Sequence, residues 1–154
     1  MPINIGLQES LLSVSVTLPA AGNNTTSSNI DLQAVGPFSA ADRLGLFQVS
    51  VPAIVGNTTG SGITIAMQVA EPSLTLSPVA PGLPVAGSFA APNPSSTVTV
   101  AAVASTGSAA GYYYFQLPLD GNGNVYQFYN FLVTVPSGPT TASEVVTIAF
   151  INRN

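Results

Sequence analysis

The chain contains no cysteine and no histidine. The first absence excludes disulfides and thiol chemistry, and the second removes the commonest acid–base side chain and transition-metal ligand. Lysine is missing too. Arg43 and Arg153 are the only basic residues, too few for the basic stripe that nucleic-acid binding requires. The acids are Glu9, Asp31, Asp42, Glu71, Asp120 and Glu144, so charged residues make up 5% of the chain, against roughly 25% in a typical soluble domain. No run approaches the ~20 apolar residues of a membrane-spanning helix. The positive mean hydropathy of +0.45 comes from Val and Ala spread through alternating segments.

These absences also bear on catalysis. Ser and Thr are abundant, but a hydroxyl nucleophile needs an adjacent base, and neither His, Lys nor a G-x-S-x-G elbow is present. Glycoside hydrolysis needs two carboxyls facing across a cleft, and none of the six acids sits in a supporting motif. The expectation is a protein that is not an enzyme and holds no cofactor or metal. A net charge of −4 is low for a chain kept soluble by charge. Either much of the surface lies against partner chains, or Ser, Thr, Asn and Gln solubilise it. Composition leaves both open.

What the chain does have is length for one domain with a substantial core and a repeated period of two. Residues 1–10, MPINIGLQES, read as an extended N-terminal arm, with Pro2 and Gly6 against helix and Ile3, Ile5 and Leu7 alternating. The segment has no basic start, apolar stretch or cleavage site of a secretory leader, so none is expected. Residues 11–154 read as a single β-sandwich domain. Val14, Val16 and Leu18 alternate with Ser13, Ser15 and Thr17, which marks a half-buried strand. The same pattern recurs at Asn29 to Gln33, Leu44 to Val51, Ile63 to Ala70, Thr97 to Ala104 and Glu144 to Ile151. The stretch AAGNNTTSS reads as a polar loop, Asn57 to Gly62 as a flexible turn, and Ser39 to Arg43 as one helical turn capped by Ser39.

Eight of the twelve aromatics fall between Tyr112 and Val135. Two aromatic runs flank Asp120-Gly121-Asn122-Gly123-Asn124, residues that tolerate positive φ, and this predicts a β-hairpin. With aromatics on both faces, that strand pair should be covered on two sides or by a neighbouring subunit. Residues 71–94 carry Pro72, Pro78, Pro81, Pro84, Pro92 and Pro94. Pro lacks a donor, so a long ordered loop is expected there, with an edge strand at Leu74 to Leu76. Roughly eight or nine strands, separated by Pro and Gly turns, read as an all-β antiparallel sandwich or jelly roll.

Three motifs have competing readings. Asp120-x-Asn122-x-Asn124 resembles half a calcium loop, but the sixth and twelfth positions hold Val125 and Phe131 where an EF-hand needs Gly and Glu; a hairpin turn fits better. Asn23, Asn24 and Asn57 begin N-x-Ser/Thr sequons, which without a secretory leader read as polar loops. Tyr112, Tyr113 and Tyr114 suit either a carbohydrate-stacking platform or a subunit interface, where Tyr is enriched. The interface reading is preferred and extends to Tyr126 and Tyr129.

Several pieces together resemble small capsid decoration (cement) proteins of tailed bacteriophages. They are SVTLPAAG at 15–22, IDL at 30–32, Gly36-Pro37-Phe38, LGLFQVSVPAI at 44–54, a strand containing Gln68, YYYFQLPLDG at 112–121 and VTIAF at 146–150. The resemblance implies a jelly-roll-like homotrimer on the outer surface of a virion capsid, assembled in the host cytoplasm, that clamps neighbouring major capsid protein subunits. Contact would run through the arm (Ile3, Ile5, Leu7), the tyrosines and the Pro-rich loop (Pro78, Pro81, Pro84). Two rivals stand beside it: a single-jelly-roll major capsid protein, and a sugar-binding head-fibre or adhesin module.

Overall fold

The computed structural model describes residues 12–32, 45–76 and 84–151. Among them there is no helix. Eleven strands form: β1 (Ser13–Thr17), β2 (Asn24–Thr26), β3 (Ile30–Asp31), β4 (Leu46–Val51), β5 (Ile63–Ala70), β6 (Pro72–Leu76), β7 (Pro84–Ala86), β8 (Thr97–Val100), β9 (Gly111–Gln116), β10 (Phe128–Thr134) and β11 (Val145–Ile151). One sheet has the order β1-β11-β4-β9. The other runs β2-β10-β5-β8, with β3 also on β10, and β6 and β7 form a separate ribbon. Every strand pairing is antiparallel. The two larger sheets pack face to face as a β-sandwich.

The period of two determines which residues fill the space between the sheets. Phe47, Val49 and Val51 of β4, Ile63, Ile65, Met67 and Val69 of β5, and Val146, Ile148 and Phe150 of β11 are all buried in one core cluster. Their alternates face outward, as the pleat requires. Phe47 stands at the centre. Its ring lies 5.0 Å from Tyr129, 5.2 Å from Phe131 and 5.5 Å from Phe150, and Phe115 meets Phe131 at 5.5 Å. These tilted and edge-on contacts join the sheets at distances where aromatic pairs gain beyond simple burial.

The aromatic hairpin expected from Tyr112 to Val135 does not form. Its runs are β9 and β10, and they belong to opposite sheets. The turn between them is real: the Asp120 and Gly123 N–H groups donate to Asn124 O (2.8 Å) and Asp120 O (3.0 Å), and Leu119 bridges Val125. Beyond that bridge the arms diverge, and Phe115 and Phe131 pack across the core instead of side by side along one sheet. Coverage on both faces holds for β10, whose Phe128 to Phe131 are all buried, and fails for β9, where buried and exposed residues alternate.

Two further expectations are corrected. The polar loop around Asn23 contains a strand, β2, which pairs with the far end of β10. The Pro-rich stretch is a ribbon where it is described, since Pro72 and Pro84 both lie in strands. A two-stranded ribbon is all edge, so a proline can sit where its missing N–H would face away from the partner. The arm, the helical turn at 39–43, and Pro78 and Pro81 lie outside the described residues.

The strand pairs are nested: β1 with β11, β2 and β3 with β10, β4 with β9, and β5 with β8. The chain is therefore paired like one long hairpin, rolled so that successive pairs alternate between sheets.

Candidate interface

The outward positions of the four-stranded sheet form a surface without charge. Strand registers align Ser15, Thr147, Ser50 and Tyr112 in one row, and Ser13, Ala149, Gln48 and Tyr114 in the next. Tyr112 is 64% exposed and Tyr114 is 54% exposed, and these are the largest exposed aromatics among the described residues. The Gln48 Nε2 donates to Tyr114 Oη at 3.0 Å and steadies that ring against the sheet. A shallow groove of about 240 Å³ runs beside Tyr112, lined by Ser50, Val51, Pro52, Ala110, Gly111, Val145 and Thr147. Hydroxyls, one amide and two phenol rings give this face hydrogen-bonding groups and apolar area, but no ion to attract or repel a partner.

The predicted interface tyrosines separate by strand parity. Tyr112 and Tyr114 point outward. Tyr113, between them, turns inward and packs half-buried on the core, as does Tyr126 from the connection after the Asp120 turn. Tyr129 is a correction: it is fully buried against Phe47 and offers nothing to a partner. Pro84 opens β7, while Ile3, Ile5, Leu7, Pro78 and Pro81 lie outside the described residues. The polar alternates Ser13, Ser15, Gln48, Ser50 and Thr147 were missed as interface candidates. Their signal was present as outward positions without charge on successive strands, but only the register assembles them into a surface.

The Tyr129 hydroxyl is buried and no side chain or backbone group bonds it within hydrogen-bond geometry, although the Tyr126 backbone N–H lies near enough to favour the phenolate slightly. Burial pushes the phenol far above its ordinary range, and the nearby Glu71 carboxylate adds to the effect. Glu71 is itself raised, by burial first and then by Asp120. The sign for Tyr129 follows: its neutral form is favoured in the fold, so the associated stability is complete below about pH 10 and is lost as pH rises beyond that value. Tyr129→Phe should gain about 1 kcal/mol at neutral pH by removing an unpartnered buried hydroxyl. It should also flatten the loss of stability above pH 10. Denaturant melts at pH 7 and pH 10.5 check both, and a destabilised variant at pH 7 would show that the hydroxyl is satisfied in solution.

The Asp120 loop is a turn. Asp120 Oδ1 accepts the N–H groups of Asn122 and Asn124, each at 2.8 Å. Those bonds, the Asn124 N–H foremost, hold the carboxyl below its ordinary range. Among the described residues no group of three or more acidic side chains could hold a metal ion. Asn57, of the third sequon, is fully buried: its Nδ2 donates to Val100 O (3.0 Å), Ala101 O (3.3 Å) and Ser108 Oγ (3.2 Å). The flexible turn expected there is a fastened loop. Comparison of the chain with protein-family models, curated proteins and solved structures returned no match.

Proposed function

We propose that this chain is a structural virion protein that decorates a phage capsid and stabilises it by bridging neighbouring capsid subunits. The observation that carries the reading is the charge-free outer face of the four-stranded sheet, edged by Tyr112 and Tyr114. Exposed tyrosines on a face without ions suit a lasting contact, where aromatic side chains supply most of the binding energy and charged ones are depleted. The nested strand pairing fits a jelly roll, an architecture used by viral capsid proteins and also by lectins. Because one fold serves many functions, the face carries more weight than the topology, and the sequence resemblance to decoration proteins adds to it.

The test is co-sedimentation of the purified chain with emptied shells of the major capsid protein from the same genome. The expected result is saturable pelleting with the shells and a higher shell melting temperature. A chain that stays in the supernatant overturns the reading. Closed particles formed by the chain alone would make it the shell protein. Selective binding on a glycan array, without shell binding, would assign the tyrosines to a sugar site.

A further inference from the structure

Strand β9 is the last strand of its sheet, and its outer edge pairs with no other described strand. Exposed edges are templates for further pairing, and proteins commonly blunt them with Lys, Pro, bulges or very short strands. The β9 sequence, GYYYFQ, has none of these devices. At six residues it is the longest edge strand of the two larger sheets, against five in β1, four in β8 and three in β2.

The direction of its backbone groups follows from the β4 ladder. Along the neighbouring β11, the Leu18 N–H donates to Glu144 O (2.9 Å) and the Phe150 N–H to Leu12 O (3.0 Å), both in the register of β1 with β11, so Val146, Ile148 and Phe150 form the reciprocal hydrogen-bonded pairs with β1. In an antiparallel ladder such reciprocal pairs recur at every second residue. Thr147, Ala149 and Ile151 therefore bond to Ser50, Gln48 and Leu46, while Phe47, Val49 and Val51 bond to Phe115, Tyr113 and Gly111, and Tyr112, Tyr114 and Gln116 turn their N–H and C=O groups to the open edge.

We propose that two copies of the chain pair along β9, antiparallel, about a two-fold axis at Tyr113. Tyr112 then exchanges bonds with the second copy's Tyr114, on both sides of the axis. Tyr113 meets its own counterpart at the axis in the intervening position, with its ring packed on the core of its own copy. The two Tyr112–Tyr114 pairs add cross-strand aromatic contacts on the outer face. The pairing satisfies the edge-facing groups of Tyr112 and Tyr114 and covers both exposed rings. Neither β9 nor β4 carries a charge, so no like charges meet at the axis. The two charge-free faces become one continuous eight-stranded surface. This two-fold pairing takes the place of the three-fold arrangement implied by the sequence resemblance.

The contact is small for a specific interface, which sets the dissociation constant in the micromolar range, about 1–100 µM. The test is sedimentation equilibrium of the isolated chain from about 1 µM to 1 mM, combined with amide hydrogen exchange. It involves no shell and reads separately from capsid binding. A monomer–dimer equilibrium is expected, with the Tyr112 and Tyr114 amides gaining protection as concentration rises and those of Tyr113 and Phe115 unchanged. The exposed double substitution Tyr112→Lys/Tyr114→Lys should weaken the dimer by about tenfold or more through like charges placed directly opposite. Mixing it with Tyr112→Glu/Tyr114→Glu should restore pairing. A monomer throughout, a trimer, or a dimer indifferent to both double substitutions would overturn the proposal. So would concentration-dependent protection at Tyr113 and Phe115 in place of their neighbours, a result read on the unaltered chain.

Discussion

Phe47→Ala is expected to cost about 3–5 kcal/mol, the range for emptying a large aromatic site in a core. The melting temperature should fall by about 10–15 °C for a chain of this size. Such a loss is a large part of the 5–15 kcal/mol that holds a typical domain folded. The reason is position. The ring is completely buried and touches Tyr129 and Phe131 of the facing sheet as well as Phe150 on its own. The cavity would open between two rigid sheets that cannot easily close on it. A double-mutant cycle with Phe131→Ala isolates the cross-sheet contact, whose coupling should be about 1 kcal/mol. Additive losses would mean that the two rings do not meet across the sandwich in solution.

Asn57→Asp is expected to rival that loss while replacing one heavy atom. The side-chain amide serves three acceptors, the carbonyls of Val100 and Ala101 and the Ser108 hydroxyl. A carboxylate there would face those carbonyl oxygens with the Ser108 hydroxyl as its one donor and no counter-ion among the described residues, and poorly compensated buried charge costs about 3–5 kcal/mol. The surroundings cannot retreat. A Cβ on Gly107 would meet the Ile54 and Val55 carbonyls, and one on Gly56 would fall onto Thr140 O, so backbone is packed directly on backbone. The introduced carboxyl would have its pKa raised in the fold. Stability should therefore be largest below about pH 4 and decline as pH rises above that value. Asn57→Ala should lose about 2–3 kcal/mol with no such pH dependence. Urea melts at pH 4 and pH 7 separate the two, and equal values for the Asp substitution at both pH values would show that the loop opens to water.

The core was legible in the sequence because its rule is local. Alternation along Ile63, Ile65, Met67 and Val69 predicts their burial from those residues alone, and likewise for Phe47, Val49 and Val51. Pairing was not legible. The Asp120 turn has hairpin chemistry and forms a turn, yet whether its arms stay together depends on β4 and β5, which capture β9 and β10 into different sheets. Strand β2 escaped because NTT has no apolar period to report. Tyr112 and Tyr129 are the same residue type in similar aromatic runs. One is exposed and one is buried, because parity relative to the core differs. Asn57 shows the same limit from the polar side. Nothing in Asn-Thr-Thr signals three buried acceptors contributed by residues more than forty positions away.

The position of β11 has a consequence for how the chain is made. It lies between β1 and β4, so a central strand of its sheet is the last strand to be synthesised. At ribosomal rates of 5–20 residues per second, β1 waits roughly 7–27 s for its partner. Throughout that interval Val16 has no sheet in which to bury, and β4 lacks its neighbour on that side. The four-stranded sheet can close only after β11 has been made. A nascent chain stalled before Val145 would leave these strands as open edges, the state in which a chaperone would find it or a second nascent chain would pair with it.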